Sequence, residues 1–323
     1  MPEHDPHRRD YAFLADGPKA VTHDEPMWSG ALSFCRRRYA RDLSGVDVAV
    51  VGVPFDQSVT NRPGARFGPR AVRAASAQLG WSRLWPSNRD PFELLNVVDW
   101  GDVWIRHGDY ARIPADIEAA MTAILAAGAT PLALGGDHFT TLPSLRAHAA
   151  RLGRPLALVQ FDAHTDTWDA PADWIDHGTM FHTAVETGVI DPARSIQVGI
   201  RTTNDAPLGI EVFDAIQVHE KGVAATVEAI RARVGDAPVY VTFDIDCLDP
   251  AFAPGTGTPV CGGLASWQAL AILRGLAGID LVGMDVVEVA PAYDVGEITA
   301  LAGATVALNL LALYAAGPRR VTR

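Results

Sequence analysis

From about residue 46 onward the chain alternates short, β-rich apolar runs with longer stretches of helical period, and this alternation constrains the fold more than any other feature. A strand, a helix and a further strand close as a parallel pair, since the helix must carry the chain back along one face of the sheet. The strand runs are VDVAVVGVP, LLNVVDWG, TPLALGG, PLALVQFD, SIQVGIR, the short AIQVH, VYVTFDID and LVGMDVVEV. They give about eight strands in a parallel sheet. Between them lie PRAVRAASAQL, ADIEAAMTAILAAG, LPSLRAHAARLG, VAATVEAIRARVG and SWQALAILRGLAG, with EITALAGATVALNLLALYAA last. Several end at Gly, and Ser266 stands where an N-cap is expected. No linker rich in Pro, Ser or charge breaks the pattern, so residues 45–323 are expected to form a single domain and residues 1–44 an N-terminal arm or extension.

Two stretches depart from the alternation. One is the loop 163–178, the other CLDPAFAPGTGTPVCGGL from Cys247 to Leu264. Long loops that follow strands in an α/β domain usually carry function, and ligands of an open parallel sheet bind beyond the carboxyl ends of its strands. The net charge of −11 argues against nucleic-acid binding and suits a cationic small molecule. Three scattered cysteines, Cys35, Cys247 and Cys261, are too few for a disulfide framework and suit a reducing cytoplasm. No apolar h-region opens the chain, and no run reaches 18 apolar residues free of charge, so neither a secretion signal nor a membrane span is expected.

VQFDAHTDTW places Asp162, His164 and Asp166 at alternate positions directly after an apolar strand. If the extended backbone persists, all three share one face. VTFDIDCLD repeats the device with Asp244 and Asp246, and LGGDHFTTL delivers Asp137 and His138 after a Gly pair. One such group alone reads as a helix cap or a satisfied polar residue. Together they do not, because two carboxylates about 5 Å apart repel by roughly 3 kcal/mol at an effective dielectric of 20. No Lys or Arg lies inside these motifs to offset that repulsion, whereas two divalent cations would balance four carboxylates. Oxygen-rich ligation with imidazole and no thiolate favours Mn, and by ligand type alone leaves Zn, Co and Ni open. The chemistry implied is metal-assisted hydrolysis.

Three further features join this set: His177 in IDHGTMFH, Glu288 in DVVEVAP and the acidic loop TWDAPADWID. Glu288 follows an apolar run, where an unpaired carboxylate is costly, and a planar guanidinium would give it a bidentate partner. His4, His7, His23, His107, His148, His182 and His219 lack such company and read as structural or surface residues. GTGTP reads as a rigid turn, since no GK[ST] follows it. Trp and Met residues read as core, with Trp168 and Trp174 set apart by their place in the site loop.

GGDHFTTLPSLRAH, FDAHTDTW, DHGTMFHTA, FDIDCLDPAFAPGTGTP and GMDVVEVAPAYD, in this order, resemble the ureohydrolase family of arginases and agmatinases, bacterial agmatinases in particular. GVPFD followed by NRPGARFGPRAVR extends the likeness, which runs over about residues 46–315. The resemblance implies a three-layer α/β/α fold with a parallel eight-stranded sheet and two Mn(2+) per subunit. One ion would take His138, Asp162, Asp166 and Asp244, and the other His164, Asp162, Asp244 and Asp246. Glu288 matches the residue that orients a substrate guanidinium, and His177 a proposed proton shuttle; Asp166 or His177 would move protons as urea and an amine form. Asp169, Asp173 and Asp176 should favour a substrate tail ending in ammonium, hence agmatine. Arg62, in TNRPGAR, points the other way, towards guanidinobutyrate, guanidinopropionate or another guanidino acid. Arginine is a further alternative, as is a catalytically silent homologue that senses a ligand or assembles. By resemblance the chain is a homo-oligomer, a trimer or hexamer, that takes a small guanidino substrate.

Overall fold

In Val48–Val53 (β1) every residue is buried, because successive side chains alternate between two covered faces. Val48 and Val50 join one apolar cluster, with Val72, Ile272 and Leu310. Ala49, Val51 and Val53 join another, with Ile117, Met121 and Leu145. Each fully buried aliphatic side chain of this kind contributes about 1.5–3 kcal/mol. The computed structural model describes residues 27–318 apart from 81, 82, 107, 172 and 205–207.

The other strands are Val97–Asp102 (β2), Thr130–Gly135 (β3), Ala157–Phe161 (β4), Ile196–Val198 (β5), Glu211–Phe213 (β6), Val239–Asp244 (β7) and Leu281–Val287 (β8). They form one eight-stranded sheet in the order β2-β1-β3-β8-β7-β4-β5-β6, parallel at every pairing. The helices are Gly68–Ser76 (α1), Pro91–Leu94 (α2), Ile113–Ala126 (α3), Thr141–Leu152 (α4), Met180–Glu186 (α5), Ala215–Val234 (α6), Ser266–Gly275 (α7) and Ile298–Ala315 (α8). α1, α6, α7 and α8 pack into the first cluster, and α3, α4 and α5 into the second. The result is the expected three-layer α/β/α architecture.

Local chemistry corrects some of the expected boundaries. AIQVH is not a strand: it opens α6, and β6 is the preceding Glu211–Phe213. Five apolar-rich residues fit either state, and the cap decides. Asp214 Oδ1 accepts from Gln217 N–H at 2.8 Å, while Gln217 Oε1 accepts from Asp214 N–H at 3.0 Å, a reciprocal box that starts a helix. Nor is Ser266 an N-cap. It is the first helical residue of α7, and Gln268 Oε1 instead accepts from the N–H of Ala265 at 2.9 Å. α2 and α5 carried no sequence signal, being only four and seven residues long.

The part of the N-terminal segment that is described, from residue 27, lies along β2. Asp99 N–H donates to Arg38 O, and Ala40 N–H to Asp99 O, both at 2.9 Å, and Phe34 and Cys35 are fully buried. Residues 1–26, with His4, His7 and His23, and also His107, lie outside the described residues. α8 is long and apolar enough to cross a membrane by length and composition. It lies in the first cluster, with Leu310 and Leu311 fully buried, as a core helix does. Cys35, Cys247 and Cys261 are all free thiols.

Candidate metal centre

The four central strands, β3, β8, β7 and β4, are neighbours although widely spaced in sequence, and their carboxyl ends deliver the ionisable groups to one place. β3 leads through Gly136 to His138. A Cβ on Gly136 would fall 1.7 Å from Phe55 O, so only glycine lets this turn pass the exit of β1. β4 leads to Asp162, His164 and Asp166, β7 to Asp244 and Asp246, and β8 to Glu288. Asp166 and Glu288 both adopt positive φ, 53° and 63°, a strained backbone for residues with side chains that is found at functional sites.

His138 Nδ1 lies 2.9 Å from Asp162 Oδ2, 2.9 Å from Asp166 Oδ2 and 3.3 Å from Asp244 Oδ2. It is buried, and none of the three oxygens meets it in hydrogen-bonding geometry. A lone pair and three carboxylate oxygens converging in this way fit a shared cation. His164 Nδ1 lies 3.1 Å from Asp246 Oδ2 and 3.5 Å from Asp162 Oδ1. Two ligand groups follow, His138 with Asp162 and Asp244, and Asp162 with His164 and Asp246. Asp162 belongs to both. Asp166 joins the first through its contact with His138, and Asp244 sits in the first alone.

The electrostatics state the same demand for positive charge. Burial works against an imidazolium at His138, but Asp162, Asp166 and Asp244 more than offset it and raise its pKa well above the usual value. His164 is likewise raised against burial, by Asp246 and Asp162, to about 12. Burial and the neighbouring Asp162 charge push Asp166 up to about 7. Burial, then Asp246 and Asp162, push Asp244 up as well. Asp162 moves down despite its burial, because both histidine rings lie against it and favour its charged form.

Beneath the ligand row runs a row of polar side chains that the sequence reading missed. His138 Nε2 lies 2.9 Å from Thr242 Oγ1, and Thr242 Oγ1 donates to Asp285 Oδ1 at 2.6 Å. Asp285 Oδ2 accepts from Thr141 and Tyr240 hydroxyls, each at 2.8 Å. With its Nε2 proton held by Thr242, His138 presents a bare Nδ1 to the cluster. On β4, Gln160 Nε2 donates to Asp162 Oδ2 at 2.7 Å, and Gln197 of β5 steadies Gln160 at 2.6 Å.

Glu288 Oε1 accepts from His138 N–H at 2.9 Å and lies 2.8 Å from His177 Nδ1. Glu288 Oε2 is buried without a partner, which fits an acceptor awaiting a substrate donor. Burial lowers the His177 pKa, but the hydrogen bond and charge of Glu288 overcome it and raise it to about 9. Asp137 lies close by, pushed up to about 8 by burial and by Glu288. Its Oδ2 accepts from Ser58 N–H at 3.0 Å, which ties the loop after β1 to the site.

A cavity of about 300 Å³ opens over this cluster, with Thr60, Asp166, Trp168, Asp176, His177 and Thr258 in its wall. Of the residues named for the substrate tail, only Asp176 lines it. Asp169 is exposed and faces His182 Nε2 at 3.6 Å, Asp173 is exposed, and exposed Arg62 lies over the Tyr293 ring at 5.2 Å. Trp174 is exposed as well.

This sheet, with histidines and aspartates gathered at its central strand ends, defines a metal-dependent α/β/α hydrolase. The family model described as "Arginase family" matches residues 46–312. An agmatinase of Chromobacterium violaceum is 58% identical over 291 residues, 90% of this chain and 90% of that protein. A solved structure of a hypothetical agmatinase from Burkholderia thailandensis matches with a TM-score of 0.93 at 54% identity, over 97% of this chain and 99% of that one. The proclavaminate amidino hydrolase of Streptomyces clavuligerus matches with a TM-score of 0.85 at 40% identity, over 90% and 99%. The chain belongs to the arginase family and is a ureohydrolase.

Proposed function

We propose that this ureohydrolase cleaves agmatine to putrescine and urea, with two Mn(2+) ions and with residues 45–323 as one catalytic domain. The observation that carries the choice of substrate is the charge of the cavity. Asp166, Asp176 and Asp244 stand in its wall, and no Lys or Arg is among the described residues lining it. A substrate cationic at both ends fits that field, and a guanidino acid does not. The agmatinases at 51–58% identity support the same reading.

His138, Asp162, Asp166 and Asp244 would hold one ion, and His164, Asp162, Asp244 and Asp246 the other. The bound pair supplies positive charge for the developing oxyanion and an activated water. Glu288 Oε2 accepts from the guanidinium N–H groups and fixes the carbon's orientation, which contributes through positioning alone. His177, neutral or protonated under the control of Glu288, moves a proton as the C–N bond breaks.

Urea release from agmatine, arginine, guanidinobutyrate and guanidinopropionate by Mn-loaded protein tests this reading. The expected order of kcat/KM puts agmatine first. A preference for guanidinobutyrate would overturn the assignment of agmatine, and no urea from any guanidine would point instead to a silent homologue.

A further inference from the structure

His177 Nε2 has two partners from one residue. Thr60 N–H donates to it at 3.0 Å, and Thr60 Oγ1 lies 2.8 Å away. The two suit opposite protonation states, since a bare Nε2 accepts from the amide whereas a protonated Nε2 donates to the hydroxyl. The loop that presents Thr60 is tied down at both sides: Ser58 N–H donates to Asp137 at 3.0 Å, and Asn61 Nδ2 to Gly257 O at 3.1 Å. Ser58 O also accepts from the backbone N–H of His177 at 3.3 Å, so the backbone that carries the ring is held to the loop. With Nδ1 facing Glu288, both ring nitrogens are engaged. Thr60 itself lines the substrate cavity.

We propose that the Thr60 hydroxyl is the last carrier of the proton that reaches the leaving amine. The inference rests on the ureohydrolase reading and on the proton role proposed for His177. As the C–N bond breaks, its electron pair stays on the amine nitrogen and Thr60 Oγ1 gives that nitrogen its proton. His177 Nε2 passes its own proton to Oγ1 in the same motion. The amine departs neutral, the hydroxyl is restored, and His177 is left neutral with Thr60 N–H now filling its bare Nε2. One of the two protons that the water oxygen loses on becoming the urea carbonyl recharges it, so the cycle closes with urea, the amine and the one proton the guanidinium carried in.

Thr60→Val keeps the backbone N–H and nearly the same volume but removes the hydroxyl. Its kcat on agmatine is expected to fall about 10²-fold, the lower end for general acid catalysis, with KM changed less than about twofold. Thr60→Ser should restore kcat to within about fivefold of wild type. The defect should shrink at least about tenfold with 3-aminopropoxyguanidine, because its weakly basic leaving nitrogen needs little protonation. Thr60→Ala repeats the comparison should the valine variant fold poorly. Unchanged kcat in Thr60→Val, or an equal loss on both substrates, overturns the proposal while the active wild type upholds the ureohydrolase reading. A wild type that releases urea from no guanidine sinks that reading and this one with it.

Discussion

The Asp162 carboxylate turns its two oxygens to different histidines, Oδ2 to His138 at 2.9 Å and Oδ1 to His164 at 3.5 Å. Asp244 is built similarly, with Oδ1 accepting from Asp246 N–H at 2.7 Å while Oδ2 faces His138 at 3.3 Å. If Asp244 bridges the proposed ions, Asp244→Ala loses metal and activity together. Metal content per subunit and urea release measured on the same preparation check this, and full metal content in the variant would refute the bridge. At this scale the site was half legible. His138, Asp162, His164, Asp166, Asp244 and Asp246 stood out because ionisable residues crowd the ends of apolar strands. Thr242 and Asp285 pair across β7 and β8 inside the sheet, where a threonine in a strand is ordinary; Asp285 in LVGMDVV was a signal passed over. Thr60 left no trace, since its partner His177 lies 117 residues away.

At the scale of elements, periodicity and Gly boundaries located most strands and the longer helices, and errors fell where a side-chain cap overrode the apolar pattern, as in AIQVH. Patterning also could not show how α1 is fastened to the sheet edge. Arg73 of α1 is buried and donates to Asp99 at 2.8 and 3.0 Å, to Asp102 at 2.6 Å and to Gly101 O at 3.1 Å. Burial opposes its charge, but Asp99 and Asp102 offset that and raise its pKa. Asp99 also accepts from Phe34 N–H at 2.8 Å, so one carboxylate joins the N-terminal segment, β2 and α1. Arg73→Met fills the space but leaves Asp99 buried with no cation. It is expected to cost about 3–5 kcal/mol, read as a lower urea midpoint with an unchanged slope. A midpoint equal to wild type would show that water or a rearranged neighbour satisfies Asp99.

For the molecule as a whole, the response to acid depends also on a group outside the site cavity. His148 on α4 donates from Nδ1 to Ser144 O at 2.7 Å, while its Nε2 is buried without a partner. The ring stands edge-on to Tyr240 at 5.2 Å, in space that Gly283 leaves open, since a Cβ there would fall 2.4 Å from the Tyr240 ring. Burial disfavours the imidazolium and holds its pKa down to about 4. The unfolded chain binds a proton at this residue near pH 6.5, and the folded chain does not until about pH 4. The unfolded state therefore carries more protons throughout that interval, and stability falls as pH drops through it. The full loss at His148 is about 3 kcal/mol, of which about 2 is spent by pH 5. Acid also titrates the aspartate cluster, so the contribution of His148 is isolated by difference. His148→Leu has no ring to protonate, and its unfolding free energy should fall by about 2 kcal/mol less than wild type between pH 7.5 and pH 5, measured by urea titration at each pH. Parallel pH profiles for the two proteins would mean that this imidazole is protonated in the native state, and that its surroundings admit the charge.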